Sequence, residues 1–491
     1  MAHPEVDSTR WRFDTSGLVE RLGGLGLFAI VGVAILGNAA GGPEWLVAWH
    51  VTASVLLLTG VLIVAQFLRS EPTEFRSDLQ PYRFGAQLVL LVGLLGITYQ
   101  SQSPGFGLGI DRAIEATIIF LGLVAFCVLA RDPRRYSAVQ WLVIGCVATV
   151  VGIFFYHSVS IAEVSFRSRH PVWAGFIMAV GLIVLPQYLS REQFLWAVNR
   201  LAAVLVLLTV PVYVIGEYTL FGLSFTFHGA YTIPVVDHEV QATRSLFVNR
   251  NAFAVVVFTG LVAAVSEVHR SYIRETPTWT VVVPAALLAI NGVGLAIAYG
   301  RALWVITPMA VGVYLAYVAF GRRAVPFAVV GGFAYLVTGI AAVHNGIIPL
   351  PEGTPTRAER WYPSVAAILD QPSLLGAGLV DPGQVIAEYH PTGSSGSPHN
   401  SYLTMGIRAG LLGGIAYVLV MLSSLLHGIL WDRDVDVAAG VAMLALAVGF
   451  TAHQQFEAYT LFNWASGTVL AVLVFGFLVF AGADRPSRTS A

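Results

Sequence analysis

PHNSYLTMGIRAGLLGGIAYVLVMLSSLLHGIL, residues 398–430, opens on a His-Asn pair and then runs almost wholly apolar to Leu430. About 20 apolar residues in helical form cross a hydrocarbon core. The stretch from Ser401 to Leu430 therefore reads as a membrane helix with length to spare. The residues before it, PTGSSGSP at 391–398, are loose and polar, and read as a hinge. Asn400 and Ser401 are good helix-capping residues. A cap alone does not call for a histidine. His399 at the positive end of a long helix dipole suits an anion, and an imidazole can give or take a proton near neutral pH.

Working outward, the same kind of segment recurs along the chain. Apolar runs at roughly 23–41, 45–68, 84–100, 113–130, 138–157, 170–189, 197–221, 251–268, 279–299, 302–320, 324–345, 401–430, 437–457 and 461–482 give fourteen candidate spans. Composition agrees: 56% of residues are hydrophobic and 11% charged, where a soluble domain carries about 25% charged residues. The expected fold is all-α, a polytopic helical membrane protein. A net charge of −1 gives no reason to expect a nucleic-acid partner. Cys127 and Cys146 both lie inside apolar runs and read as small packing residues rather than a disulfide or a metal pair.

All 27 basic residues are arginine, and their positions orient the chain. With the N-terminus in the cytoplasm, every inner connection carries at least one Arg, as the positive-inside rule asks. Residues 1–22 then form a cytoplasmic tail, 483–491 a second one, and the protein lies in the cell membrane. Nine arginines fall outside against that bias: Arg112, Arg167, Arg169, Arg244, Arg250, Arg301, Arg357, Arg360 and Arg408. Six of them, with His399, map to the outer side of the second half of the chain. Arginine is the preferred partner for phosphate oxygens because its planar fork makes paired, charge-assisted hydrogen bonds.

Local context sharpens some of these positions. Arg301 sits in a two- or three-residue turn between two spans, which leaves it little freedom. Arg244 precedes a span in QATRSLFVNRNAFA; Arg250, in the same stretch, reads as a solvated loop end. The outer connection 346–400, between helices 11 and 12, is far longer than ordinary loops, which marks it as functional. Within it, TRAERWYPSVAAILD at 356–370 has helical apolar spacing beside charges and reads as a helix lying on the membrane surface, with Arg357 and Arg360 on one face. His453 and Glu457 are four apart and read as one helical face at an outer span end. The Asp-x-Asp of DRDVD at 432–436 reads as a solvated inner turn. GFGLG at 105–109 lacks the strand–helix frame of a nucleotide fingerprint. No metal-ligand motif is present. The rival reading is a transporter, a flippase moving lipid-linked glycans, which would place ionisable groups near the bilayer midplane. Here Glu115, Glu217 and His50 lie toward outer ends, which favours chemistry at the surface.

Three stretches together resemble the O-antigen ligase and polysaccharide polymerase superfamily of membrane glycosyltransferases: TRSLFVNRNAFAVVV; AIAYGRALWVITPMAVGVYL; and RAERWYPSVAAILDQPSLLGAGLV followed by PHNSYLTMGIRAGLLGG. The match covers about residues 240–420, within a region drawn at 240–430. The N-terminal transmembrane helices, 23–239, match in hydropathy only, and 431–482 form the C-terminal transmembrane helices. Arg408 and the Arg before Asn251 depart from the usual pattern. The resemblance implies transfer of a glycan from a polyisoprenyl phosphate or diphosphate carrier to a glycan, lipid or protein acceptor at the outer face, with no metal or other cofactor. It implies that Arg244 and Arg301 hold phosphate, that His399 activates the acceptor hydroxyl or stabilises the leaving phosphate, and that Arg360 is a second phosphate or sugar contact. Arg357, Asn400, Tyr402, Arg408 and Glu457 complete the expected substrate contacts.

Overall fold

The computed structural model describes Leu90 and residues 136–161, 166–220, 223–233, 238–273, 278–344, 355–370, 374–390, 396–430, 437–463 and 465–481. The four expected spans before residue 131, with Cys127, lie outside the described residues apart from Leu90. So do both tails and the DRDVD turn.

The described chain is mostly helical. In order it forms α1 (Ala138–Val159); α2 (Phe166–Ile177), which runs on through a π-helical stretch (Met178–Val184) into α3 (Leu185–Tyr188); α4 (Arg191–Thr209); and α5 (Val212–Ile215). Three strands follow, β1 (Tyr218–Leu220), β2 (Leu223–Ile233) and β3 (His238–Ser245). Then come α6 (Arg250–Ile273), α7 (Thr278–Ala298), α8 (Arg301–Phe320), α9 (Val325–His344), α10 (Pro355–Asp370), α11 (Pro382–Ala387), α12 (Ser401–Leu430), α13 (Val437–His453) and α14 (Ser466–Val479).

Among the described residues, seven helical segments are long and apolar enough to cross a membrane: Ala138–Val159, Arg191–Ile215, Arg250–Ile273, Val281–Ala298, Arg301–Phe320, Arg322–Ala342 and Ser401–Leu430. Shorter apolar helices cover Trp173–Tyr188, Ala438–His453 and Ser466–Val479. These segments fall on the ten spans expected from residue 138 onward, and the fold fits a helical membrane protein. The packing follows composition. α14 is apolar on every side and almost wholly buried, as a central helix must be. α9 turns Phe327, Val330 and Val337 outward, an apolar surface suited to lipid.

One end of the bundle is closed by side chains that satisfy helix-terminal carbonyls. Arg191 donates through Nε and Nη2 to Phe477 O, Gln140 Nε2 donates to Val479 O, and His427 Nδ1 lies 2.7 Å from Leu478 O. All three carbonyls belong to the last turn of α14, where the dipole favours cations. Arg322 donates to Ile429 O at the end of α12 in the same manner.

The other end differs from expectation in two ways. The segment 222–250, between the expected spans 197–221 and 251–268, is not a plain connection. It holds most of an antiparallel sheet of order β1-β2-β3, so the protein is not all-α. The alternating Phe225, Phe227 and β-branched residues of LSFTFHGAYTI carry that signal. The long connection 346–400 contains the expected helix as α10, and a short second one, α11. α10 leaves Tyr362, Val365 and Leu369 exposed along one side, the stripe a helix lying on a membrane would present.

The expected single span 401–430 is broken. Gly410 takes φ 66°, ψ −168°, which splits α12 into a short first segment and a long second one. The break strands backbone carbonyls, and the loop 374–378 supplies their partners. Ala377 N–H donates to Ile407 O at 2.8 Å, Gly378 N–H to Arg408 O at 3.0 Å, and Leu412 N–H returns to Leu374 O at 3.2 Å. The two chains meet backbone to backbone: a Cβ on Gly410 would lie 2.4 Å from Leu374 C and O. Gly410→Ala is therefore expected to destabilise the protein by about 1–3 kcal/mol from conformation alone, and by more from the clash. Gly414→Ala, whose nearest contact would be an ordinary 3.5 Å, is expected to change nothing. Thermal unfolding in detergent compares the two; equal melts would contradict the account of the break.

Candidate functional site

The site is built on the first turn of α6. Asn249 Oδ1 accepts the Ala252 N–H at 2.9 Å and caps the helix. Arg250 follows at once. Its guanidinium lies 3.7 Å above the ring of Tyr231 on β2 and 5.3 Å from that of Tyr299. The two rings stack on each other with centroids 5.2 Å apart. Arg250 is only 9% exposed, so the expected solvated loop end is instead a buried cation held by two aromatic faces.

Tyr299 belongs to the turn that carries Arg301. The turn is two residues, Tyr299 and Gly300, between α7 and α8. Tyr299 takes φ 49°, and Trp304 packs on its ring edge while donating Nε1–H to Leu295 O at 3.0 Å. Gly300 lies against α6, where a Cβ would come within 2.7 Å of Ala254. The turn is thereby pinned beside Arg250. Arg301 starts α8 half-buried, and among the described residues its side chain has no hydrogen-bond or ion-pair partner.

Arg244 comes from β3. Its Nε donates to Thr226 Oγ1 at 2.7 Å and its Nη1 to Val248 O at 3.3 Å, which fixes the guanidinium at the sheet end nearest α6.

The His-Asn pair reaches the same end of the bundle through the segment after α13. Asn251 Nδ2 donates to Glu457 Oε1. The Glu457 carbonyl accepts from Ser401 Oγ at 2.7 Å, and Gln454 O accepts the Ser401 N–H at 2.8 Å. His399 has φ 47°, and its N–H donates to Ser397 Oγ at 3.2 Å. Arg360 Nη1 donates to Ser397 O and Trp361 Nε1 to Pro398 O, so the end of the expected hinge, residues 396–398, is tied to α10. Arg244, Arg301, His399, Arg360 and Glu457 are thus connected through α6, the turn at Tyr299 and the segment 454–459.

Other expected contacts are placed differently. Glu457 is not on one helical face with His453: α13 ends at His453, and Glu457 lies in the turn beyond it. His453 Nδ1 meets the Tyr459 hydroxyl at 2.8 Å. Tyr402 is used in packing, its hydroxyl donating to Thr451 O at 2.8 Å. Asn400 serves as the helix cap, its Oδ1 accepting from Tyr402 N and Leu403 N. Arg408 sits apart on α12, in the field of Asp381 and Arg167 and beside His170. Arg357 is one turn before Arg360 on α10.

Tyr231 and Tyr299, which hold Arg250, and His228, which lies in the field of Arg250 and Arg244, are missing from the sequence reading. A strand assignment for 223–233 is the signal that would have brought Tyr231 and His228 forward. Among the described residues no group of three or more His, Cys, Asp or Glu is arranged to hold a metal ion. No protein-family model matches the chain, and no curated protein matches it.

Arg250→Lys removes the flat guanidinium from the tyrosine pair and is expected to cost about 1–2 kcal/mol. Tyr231→Phe keeps the ring and is expected to be near neutral. If chemical unfolding gives Arg250→Lys the wild-type midpoint, the stack does not hold the sheet to α6.

Proposed function

We propose that this protein is a membrane glycosyltransferase of the O-antigen ligase kind. It moves a glycan from a polyisoprenyl phosphate or diphosphate to an acceptor hydroxyl at the outer face of the cell membrane. The reading includes fourteen spans with both termini in the cytoplasm. The observation that carries it is the joining of Arg244, Arg301, Arg360 and His399 at one end of the helices, with Arg301 lacking a described partner. Clustered cations at a membrane surface suit a ligand whose tail stays in lipid and whose phosphate reaches the protein.

In this reading the acceptor oxygen attacks the anomeric carbon, and the bond from that carbon to the carrier phosphate oxygen breaks. Negative charge grows on the departing phosphate. Arg301 and Arg244 meet it, and such fixed charges are worth most where they face the charge that develops. His399 takes the proton of the acceptor hydroxyl. Glu457, held by Asn251, lies on the acceptor side. Arg360, with Arg357 one turn before it, contacts the carrier phosphate or its first sugar. The same arrangement serves a polymerase that extends lipid-linked repeat units. Full-length chains stranded on lipid in cells without the protein would mark a ligase, single repeat units a polymerase, and single repeat units held at the inner face a flippase.

His399→Ala and Arg301→Ala are each expected to lower transfer by roughly 100-fold or more while the protein still inserts and accumulates. Transfer in washed membranes is expected to persist in the presence of a chelator. Wild-type transfer by both variants would remove the assignment.

A further inference from the structure

The β2–β3 ladder contains two bulges in succession. Thr226 pairs with Ser245 and Phe227 with Thr243, which leaves Arg244 as the extra residue on β3. Gly229 then pairs with Ala242, which leaves His228 as the extra residue on β2. A bulged residue drops out of the ladder, and the local kink re-aims its side chain. Ser245 at φ 52° and Gly229 at φ 136° absorb the distortion. The Phe227 N–H is satisfied by Glu217 Oε1 at 2.9 Å.

The two displaced residues are both basic types, and they share surroundings. Among the described residues, the charged groups around His228 are Arg244 from β3, Arg250 from the head of α6, and Glu217 before β1, which is engaged by the neighbouring Phe227 N–H. Tyr213 of α5 packs edge-on against Phe227, and Tyr231 of the same strand lies under Arg250. His228 itself is exposed. Partial burial, then Arg250, then Arg244 hold its imidazole below the usual histidine range.

Resting on the carrier-phosphate reading above, we propose that His228 is a further basic contact to the bound phosphate beside Arg244, and that it takes up a proton from solvent as the phosphate binds. Two cations oppose that proton in the free protein. An anion seated beside them reverses the local field and favours it. By linkage, the affinity contributed by His228 is present at low pH and is lost as pH rises through its titration in the bound state.

The test uses the full chain in detergent with farnesyl diphosphate as probe, its affinity measured from about pH 5.5 to 8.5, where histidine titrates. The probe's own ionisation is common to all variants, so the ratio of wild-type to His228→Gln affinity isolates the imidazole. The expected ratio is about tenfold at the acid end, falling to one at the alkaline end. His228→Lys is expected to keep tight binding across the range. If wild type and His228→Gln bind equally throughout while Arg244→Ala weakens binding, the role of His228 is overturned and the phosphate site stands. If neither Arg244→Ala nor Arg301→Ala weakens binding, both fall.

Discussion

A helix broken inside an apolar bundle must find partners for the carbonyls the break exposes, because no water is at hand to supply them. At Gly410 the partners come from a loop rather than from another helix. The N–H groups of Ala377 and Gly378 take the carbonyls of Ile407 and Arg408, and Leu374 O takes the N–H of Leu412. The exchange has two consequences. It sets the first segment of α12 off from the helical stretch that follows, and it draws the middle of the long connection 346–400 into the bundle. Ile386, Val385 and Ala367 then close over Ile407 as a small apolar cluster. His399, just before this segment, and Arg360, on the helix above it, are positioned by that closure.

The second organising point is the head of α6. Arg250 faces the sheet and the Tyr299 turn, while Asn251, the next residue, faces Glu457. Two adjacent side chains on one helical turn thus tie three segments far apart in sequence. The cation over the Tyr231–Tyr299 pair gives the small sheet an attachment that its own short strands do not provide. The sheet in turn carries Arg244 and His228 on its bulges, so its docking decides where those charges lie.

Two of the arginines at this end are supported by neutral acceptors. Arg244 rests on a hydroxyl and a carbonyl, and Arg360 on a carbonyl. The opposite end is different. There Arg200 pairs with Glu267 at 2.6 Å and Arg270 with Glu192 at 2.7 Å, and other cations cap helix carbonyls. Arginines at that end are spent on structure.

Hydropathy and local spacing alone determined much of this protein. The apolar run of 138–157 became α1, the mixed periodicity of 356–370 became α10, and the tightness around Arg301 became a two-residue turn. These features depend on residues close in the chain, so a one-dimensional pattern carries them. Tertiary structure decided the rest. Arg250 reads as a loop end until Tyr231 and Tyr299 arrive from separate elements. Glu457 reads as helical until α13 stops at His453 and the turn bonds to Ser401 and Asn251. The break at Gly410 needs the 374–378 loop before it can exist. His228 stands beside Arg244 only because two facing strands slip register one after the other, and a register is a property of the pair, written in neither strand alone.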